Sequence, residues 1–287
     1  MTASPNPDYA EWIGRREVAH DVCALLLVRR IAAMLDHDPD TCREGDPLPA
    51  GWQMCVFTPL IRQSDLRADG HAQAETLMPP VHLPRRMLGG RRTWFKEPVK
   101  IGAALTRTSE LVSITPKTGR SGELVIVTVR HTITEDDHDA PLIVEEQDSI
   151  FREEAPPGAA PKATGPATTA PARPDPVHVR EMTPDPTLLF RYSAIGFNTH
   201  RIHYDQPYAT GTEGYPGLIV NGGLATLLLI DFFEGTTGQR LKSIEARNTG
   251  AIICGRPIRL CAAPSEEGWL LWIEDTNGRM LLEAKAT

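Results

Sequence analysis

Cysteine is scarce in this sequence, and the few cysteines are not spaced for a metal site or a disulfide framework. Five occur in 287 residues, and no two of them form a Cys-x-x-Cys pair. They are Cys23, Cys42, Cys55, Cys254 and Cys261. A scattered, odd-numbered set is typical of a reducing compartment. The sequence therefore predicts a cytoplasmic protein with no metal centre.

Long hydrophobic runs and an excess of positive charge are also missing. The longest apolar runs, at 24–28 and 224–230, are much shorter than the roughly 20 residues that cross a bilayer. The first residues lack the basic and apolar parts of a secretory signal. A net charge of −7 disfavours non-specific binding to nucleic acid, which requires a basic surface. We therefore expect neither a membrane nor a nucleic acid as partner.

A segment rich in proline, alanine, glycine and threonine divides the chain at residues 155–178. This composition supplies few side chains for a core, and proline disfavours regular structure. We predict a linker over 155–178. It joins an N-terminal domain of residues 1–154 to a C-terminal domain of residues 179–287, and both are of domain size.

Hydrophobic periodicity predicts helix and sheet in the N-terminal domain. Apolar residues recur at steps of three and four over 15–36, which predicts a helix there. β-branched residues predict an antiparallel sheet of about four strands in the remainder. The segments with this pattern are 93–95, 99–107, 111–117, 124–135 and 141–152.

The C-terminal domain repeats this organisation around a more apolar helix. Residues 222–233 are apolar nearly all round, as in a buried helix. Strands are predicted at 188–193, 243–247, 258–262, 268–274 and 279–286. An antiparallel sheet wrapped around a buried helix is the hotdog arrangement, and it occurs here twice. The predicted fold class is therefore α+β, a double hotdog.

The residues with the clearest chemical potential lie at 198–205, where two histidines occur among other polar side chains. His203 is the best proton carrier, because imidazole titrates near neutral pH. Asn198 cannot exchange a proton, but its amide can hold a water molecule. Gly222 and Gly223 begin the predicted helix, where free backbone N–H groups can bind an oxyanion. A base, a held water and an oxyanion hole together suit water addition to an α,β-unsaturated thioester.

The motifs around these residues resemble a known superfamily. The run from Phe190 to Ala209, with Asn198 and His203 inside it, is similar to the MaoC-like (R)-hydratase superfamily. More closely, it resembles the group that contains mesaconyl-C4-CoA (3-methylfumaryl-CoA) hydratases, itaconyl-CoA hydratases and type 2 hydroxyacyl-thioester dehydratases. In the N-terminal half, Asp69-Gly-His71 and Arg85-Arg86-Met87 also fit this group.

The resemblance implies roles for individual residues. His203 is the expected acid/base, and Asn198 stands where the general pattern has an aspartate. The helix start at Gly222 is the expected oxyanion hole. Two departures lie near the expected acyl pocket: the chain has Asn221-Gly-Gly where the group usually has His-Gly-Pro, and it has Leu88 in a stretch that usually contains tryptophan.

Five further residues are candidates for contact with substrate or with CoA: Arg85, Arg86, Arg201, Asn221 and Tyr215. Each has a structural alternative. The arginines could form a solvated or packed surface, although guanidinium suits carboxylates and phosphates. Asn221 could simply cap the helix.

These patterns support three hypotheses about function. The first is an acyl-CoA hydratase or dehydratase acting on a short branched or dicarboxylic 2-enoyl thioester, without a cofactor beyond the CoA of its substrate. The second is a 3-hydroxyacyl dehydratase that takes its substrate from an acyl carrier protein. The third is a non-catalytic hotdog protein that binds an acyl thioester. A monomer and a homodimer of double hotdogs are both compatible with the sequence.

Overall fold

The computed structural model describes residues 9–119, 122–136, 138–153 and 173–287. Their strands form one ten-stranded antiparallel sheet in the order β1-β3-β4-β5-β2-β7-β10-β9-β8-β6. The strands are β1 (Arg16–Val22), β2 (Arg85–Phe95), β3 (Ala104–Gly119), β4 (Gly122–Glu135), β5 (Ile143–Arg152), β6 (His178–Met182), β7 (Ser243–Asn248), β8 (Ile258–Ser265), β9 (Gly268–Asp275) and β10 (Met280–Ala286). The helices are α1 (Leu25–Met34), α2 (Pro186–Ile195), α3 (Gln206–Gly211) and α4 (Gly222–Thr237).

The sheet has two sequence-contiguous halves that meet where β2 pairs with β7. Strands β1 to β5 form the N-terminal half, and strands β6 to β10 form the C-terminal half. The predicted domain limits at 154 and 179 stay predictions, because residues 154–172 lie outside the described residues. Strand β6 begins at His178, the last residue of the predicted linker.

Helix α4 is the centre of the main core. It is buried from Leu224 to Phe233 on every side except at Asp231, as its almost wholly apolar sequence predicts. It ends at Gly238, which adopts a left-handed conformation with φ of 67° and so stops the helix in the way that glycine favours. None of the helices in the described ranges is long and apolar enough to span a membrane.

Two predicted elements are wrong. Residues 15–36 are not one helix: β1 occupies Arg16–Val22 and α1 begins only at Leu25. The first part pairs with β3, and this long-range pairing overrides the local helical period. The strand predicted at 188–193 is instead part of α2, whose start is fixed by Asp185 and Pro186. The Asp185 carboxylate accepts a hydrogen bond from Leu188 N at 2.7 Å, a standard N-terminal cap.

The segments 99–107 and 111–117 also differ from prediction, because they belong to one strand, β3, that begins at Ala104. The N-terminal half accordingly has five strands rather than about four. The predicted segment 93–95 is only the end of β2, which begins at Arg85. The remaining predicted strands in both halves, and the helix at 222–233, are confirmed to within a few residues.

A β-bulge at Gly89 determines which side chains of β2 face inward. Leu88 pairs with Ser149 and Gly90 with Asp148, so Gly89 is the extra residue. A Cβ at Gly89 would lie 2.6 Å from Ile150 Cδ1, so a larger residue there would require the Ile150 side chain to move. Because the bulge shifts the alternation by one residue, the side chains after it exchange faces.

Candidate active site

His203 lies in a short 3-10 turn, Arg201–His203, between α2 and α3. It is only 7% exposed, and its Nδ1 lies 2.7 Å from the carbonyl oxygen of Ile219. A carbonyl oxygen can only accept, so Nδ1 carries the hydrogen and Nε2 keeps its lone pair in the neutral ring. The imidazole is therefore oriented as a base.

The surroundings of His203 keep it uncharged. Burial lowers the pKa of His203 to about 4, while the Ile219 carbonyl works in the opposite direction and the nearby His71 adds a smaller lowering. The ring is therefore neutral at pH 7, and Nε2 is available to take a proton.

Asn198 follows α2 and is held by two local hydrogen bonds. Its backbone N–H donates to Ser193 O at 2.8 Å, and its Oδ1 accepts from His200 N at 3.0 Å. Since the oxygen is engaged in this turn, the Nδ2 group is the end of the amide left to act as a donor. A water molecule held by this group stays a prediction.

A third histidine, His71, comes from the N-terminal half and completes a row with His200 and His203. The ring centroids of His71 and His200 are 4.1 Å apart, and those of His200 and His203 are 5.3 Å apart. Burial lowers the pKa of His71 and lowers that of His200 to about 2. Asp69 Oδ2 lies 3.3 Å from His71 Nδ1. Sequence reasoning noted Asp69-Gly-His71 as a family motif but did not place His71 in the site.

Hydrogen bonds to its backbone carbonyl groups join the segment 69–71 to the loop of residues 198–205. Arg201 N donates to Asp69 O at 3.0 Å, and the Thr199 hydroxyl donates to Gly70 O at 2.6 Å. A side chain at Gly70, where φ is 89°, would overlap the Thr199 carbonyl. Glycine is required there for this close approach, and the contact makes the N-terminal half part of the site.

The Arg201 guanidinium is held by hydrogen bonds to other residues of the chain. Its Nε and Nη2 donate to Asp205 Oδ2 at 3.0 and 2.7 Å, and its Nη1 donates to Ala68 O at 3.0 Å. The guanidinium also lies 4.1 Å from the centre of the Tyr208 ring. These bonds join the loop of residues 198–205 to residue 68, and the predicted contact of Arg201 with substrate stays a prediction.

Gly222 and Gly223 form the first turn of α4, where N–H groups have no partner within the helix. The side chain of the preceding residue, Asn221, makes no capping hydrogen bond to them. A Cβ at Gly223 would overlap the Tyr192 hydroxyl, and one at Gly222 would lie 3.0 Å from Leu88 Cδ2. The turn is therefore tightly packed against any added side chain, and N–H groups at a helix start are the donors that an oxyanion hole uses. Its role as the oxyanion hole stays a prediction.

Asn221 and Tyr192 lie beside this turn. Asn221 is 2% exposed; its Nδ2 is 3.5 Å from Ser193 Oγ, and its Oδ1 has no partner among the described residues. Burial raises the pKa of Tyr192, so its hydroxyl stays protonated. Tyr192 was not singled out from the sequence. The predicted contact of Asn221 with substrate is compatible with its unpaired oxygen and remains a prediction.

The other predicted contact residues are more scattered. Arg86 binds Glu75 and lies 3.3 Å from Ser149 Oγ on the inner face of β2. Arg85 is the preceding residue of the strand, so alternation places it on the opposite face. Tyr215 is half-buried after α3 and packs against the main core. In the described part of the chain, no three His, Cys, Asp or Glu side chains are arranged to hold a metal ion.

The buried histidines make stability dependent on pH. The pKa values of His203 and His131 are lowered to about 4 and that of His200 to about 2, whereas unfolded histidine titrates near about 6.5. Below that pH the unfolded chain binds more protons, so the free energy of unfolding should fall. We expect a loss of up to about 1.4 kcal/mol per pH unit for each histidine. Urea unfolding at pH 7, 6 and 5 tests this; equal stability at all three would contradict it.

Comparisons with known proteins agree with this architecture. The model of the hydroxyacyl-thioester dehydratase type 2 family matches residues 51–254. The mesaconyl-C(4)-CoA hydratase of Chloroflexus aurantiacus is 39% identical over 280 residues, which are 96% of this chain and 96% of that protein.

Two solved structures show the same fold at low sequence identity. The MaoC-like dehydratase from Phytophthora capsici matches with a TM-score of 0.65 at 15% identity, over 96% of this chain and 95% of that one. A Mycobacterium tuberculosis protein described as a double hotdog matches with a TM-score of 0.51 at 16% identity, over 98% of both chains. The predicted double hotdog is confirmed, and the chain belongs to the hydroxyacyl-thioester dehydratase type 2 family.

Proposed function

We propose that this protein hydrates a short, branched dicarboxylic 2-enoyl-CoA such as mesaconyl-C4-CoA, the substrate in the name of its relative. As a family member, the chain is a hydratase or dehydratase of acyl thioesters. The observation that carries the proposal is the link between His203 and Ile219. Ile219 lies three residues before Gly222, so this bond ties the base to the segment that enters the oxyanion turn.

These positions support the following reaction. The substrate carbonyl accepts hydrogen bonds from the N–H groups of Gly222 and Gly223, which polarise the enoyl thioester. Asn198 Nδ2 holds a water molecule, and His203 Nε2 removes a proton from it as the water oxygen bonds to C3. The electron pair of the double bond moves toward the thioester, giving an enolate held by the same N–H groups. The proton on His203 is then delivered to C2.

The proposed localisation, the proposed lack of a cofactor and the oligomeric state rest on less specific observations. All five cysteines are free, which favours the cytoplasm. We propose that no resident cofactor takes part, because the proton transfer and the oxyanion binding use side-chain and backbone groups of the chain itself. A monomer and a homodimer both remain compatible with the proposal.

The direct test is hydration of mesaconyl-C4-CoA by the purified protein, followed as loss of enoyl-thioester absorbance. We expect saturable turnover of mesaconyl-C4-CoA, with crotonyl-CoA and itaconyl-CoA as comparison substrates. The same acyl group on an acyl carrier protein should react more slowly than the CoA thioester. A faster reaction with the carrier-bound form would favour the carrier-protein dehydratase, and binding without turnover of any thioester would favour the non-catalytic alternative.

A further inference from the structure

The inner face of the N-terminal half carries a row of polar side chains where an acyl-binding surface is ordinarily apolar. Strand register places Thr93, Glu145, His131 and Ser109 side by side across β2, β5, β4 and β3. Arg91 is next to them and forms an ion pair with Glu145, Nε to Oε1 at 3.1 Å. We call these five residues the polar row.

The polar row is buried and internally bonded. The side chains of Arg91 and Glu145 are 14% and 13% exposed, and Ser109 Oγ lies 2.8 Å from His131 Nδ1. The Thr93 hydroxyl donates to Glu145 at 3.3 Å. Burying such groups is costly unless they are paired. A long alkyl chain laid across the row would contribute no hydrogen bonds to it.

Arg91 has one donor nitrogen that lacks an oxygen partner. Its Nη2 donates to Gln147 Oε1 at 2.8 Å, and its Nε is beside Glu145. The contact found for Nη1 within the described residues is Met54 Sδ, and a thioether is a weak acceptor. Nη1, whose described contact is this weak acceptor, is also close to the proposed oxyanion turn, because a Cβ at Gly223 would lie 3.9 Å from it.

The short distance between Arg91 Nη1 and the first turn of α4 suits a short dicarboxylic acyl group. In a four-carbon enoyl thioester with a terminal carboxylate, three carbon–carbon bonds separate the thioester carbon from the carboxylate carbon, on the order of 4 Å. A carbonyl held at Gly222 and Gly223 therefore places the far carboxylate within reach of Arg91 Nη1. Guanidinium–carboxylate bonds are among the stronger hydrogen bonds in proteins.

The bulge at Gly89 determines which face of the sheet the Arg91 side chain points to. Arg91 points inward, where it pairs with Gln147 across β5, and the next residue, Arg92, points outward. Arg92 is fully engaged there by Glu146 at 3.1 Å and by Asp148 at 2.8 and 3.0 Å. The two adjacent arginines thus have the same chemistry and opposite environments, which makes Arg92 a matched control.

We propose that Arg91 binds the free carboxylate of a dicarboxylic acyl group and that the polar row excludes long alkyl chains. The proposal rests on the proposed hydratase function and assigns the residue that selects the substrate within it. It predicts a preference for mesaconyl-C4-CoA over 3-methylcrotonyl-CoA, which carries a methyl group in place of the carboxylate.

The kinetic test compares kcat/KM for these two substrates in the wild type, Arg91→Met and Arg92→Met. We expect Arg91→Met to lower the value for mesaconyl-C4-CoA by about 10- to 100-fold, as for loss of a charged hydrogen bond, and to change that for 3-methylcrotonyl-CoA by less than about threefold. Arg92→Met should leave the ratio of the two unchanged. An equal loss for both substrates in Arg91→Met, or no loss for either, would overturn the proposal.

A second variant tests whether Arg91→Met loses activity only because it misfolds. A binding measurement tests the role of Arg91 even if the protein is not a hydratase. Arg91→Met/Glu145→Gln removes both charges of the pair, so no buried carboxylate is left unpaired, and it should show the same loss of preference. Calorimetry with succinyl-CoA and butyryl-CoA needs no turnover. Wild-type protein should bind succinyl-CoA more tightly, and Arg91→Met should abolish the difference. If the protein hydrates the thioesters but neither assay shows a preference for the ligand with the carboxylate, the role of Arg91 is refuted. The hydratase function is then unaffected.

Discussion

Replacing His203 with asparagine should lower kcat for enoyl-thioester hydration by about 10²- to 10⁴-fold, the usual contribution of a positioned acid/base. Asparagine removes Nε2, the only atom of the ring placed to take a proton, but its amide can still donate to the Ile219 carbonyl as Nδ1 does at 2.7 Å. The fold should therefore be retained while the chemistry is lost. Progress curves of thioester absorbance measure the effect, and far-ultraviolet circular dichroism checks the fold.

A control histidine and a second variant sharpen this result. His20→Asn changes a histidine on β1 whose side chain is 70% exposed, and it should leave kcat unchanged. His203→Ala should lose activity as fully as His203→Asn and should also lose stability, since its burial leaves a cavity. If His203→Asn retained near wild-type kcat, His203 would be a structural histidine and the proton carrier would have to be sought elsewhere in the row with His71 and His200.

Replacing Gly223 with alanine should lower kcat by about 10²- to 10³-fold, the effect of losing an oxyanion-hole donor. The added Cβ would overlap the Tyr192 hydroxyl, so the first turn of α4 or the tyrosine must move. Because Tyr192 is buried and has little room to move, we expect the turn to shift, which moves the Gly222 and Gly223 N–H groups away from the substrate oxygen. Because these donors act mainly on the enolate, the loss should appear in kcat more than in KM.

Two comparisons separate this effect from general damage to α4. Gly235→Ala alters an exposed glycine in the same helix with nothing within 4 Å of the new Cβ. It should leave activity unchanged and stabilise the protein by about 0.5–1 kcal/mol. Gly223→Ala/Tyr192→Phe removes the hydroxyl that the new Cβ meets and should recover much of the lost kcat. If Gly223→Ala alone were fully active, the first turn of α4 would not be the oxyanion hole.

Local sequence determined the central elements of the site. The apolar run after Gly223 dictates a buried helix, since no amphipathic surface exists for water to solvate. The helix start then supplies free N–H groups by geometry alone. The residue types in 198–205 make His203 the candidate proton carrier, because few side chains can exchange a proton near neutral pH. The alternation of β-branched residues located most of the strands.

Only the tertiary structure decided which distant residues join that site. The approach of His71 depends on Gly70 docking against Thr199, a contact across more than a hundred residues that no local pattern encodes. Pairing of β1 with β3 likewise overrode the helical period at 16–22. The inward direction of Arg91 and the outward direction of Arg92 follow from a one-residue bulge at Gly89. Sequence therefore predicts a proton carrier and an oxyanion turn, because these predictions depend on residue type and helix geometry. Strand register and long-range packing selected the partners that surround them.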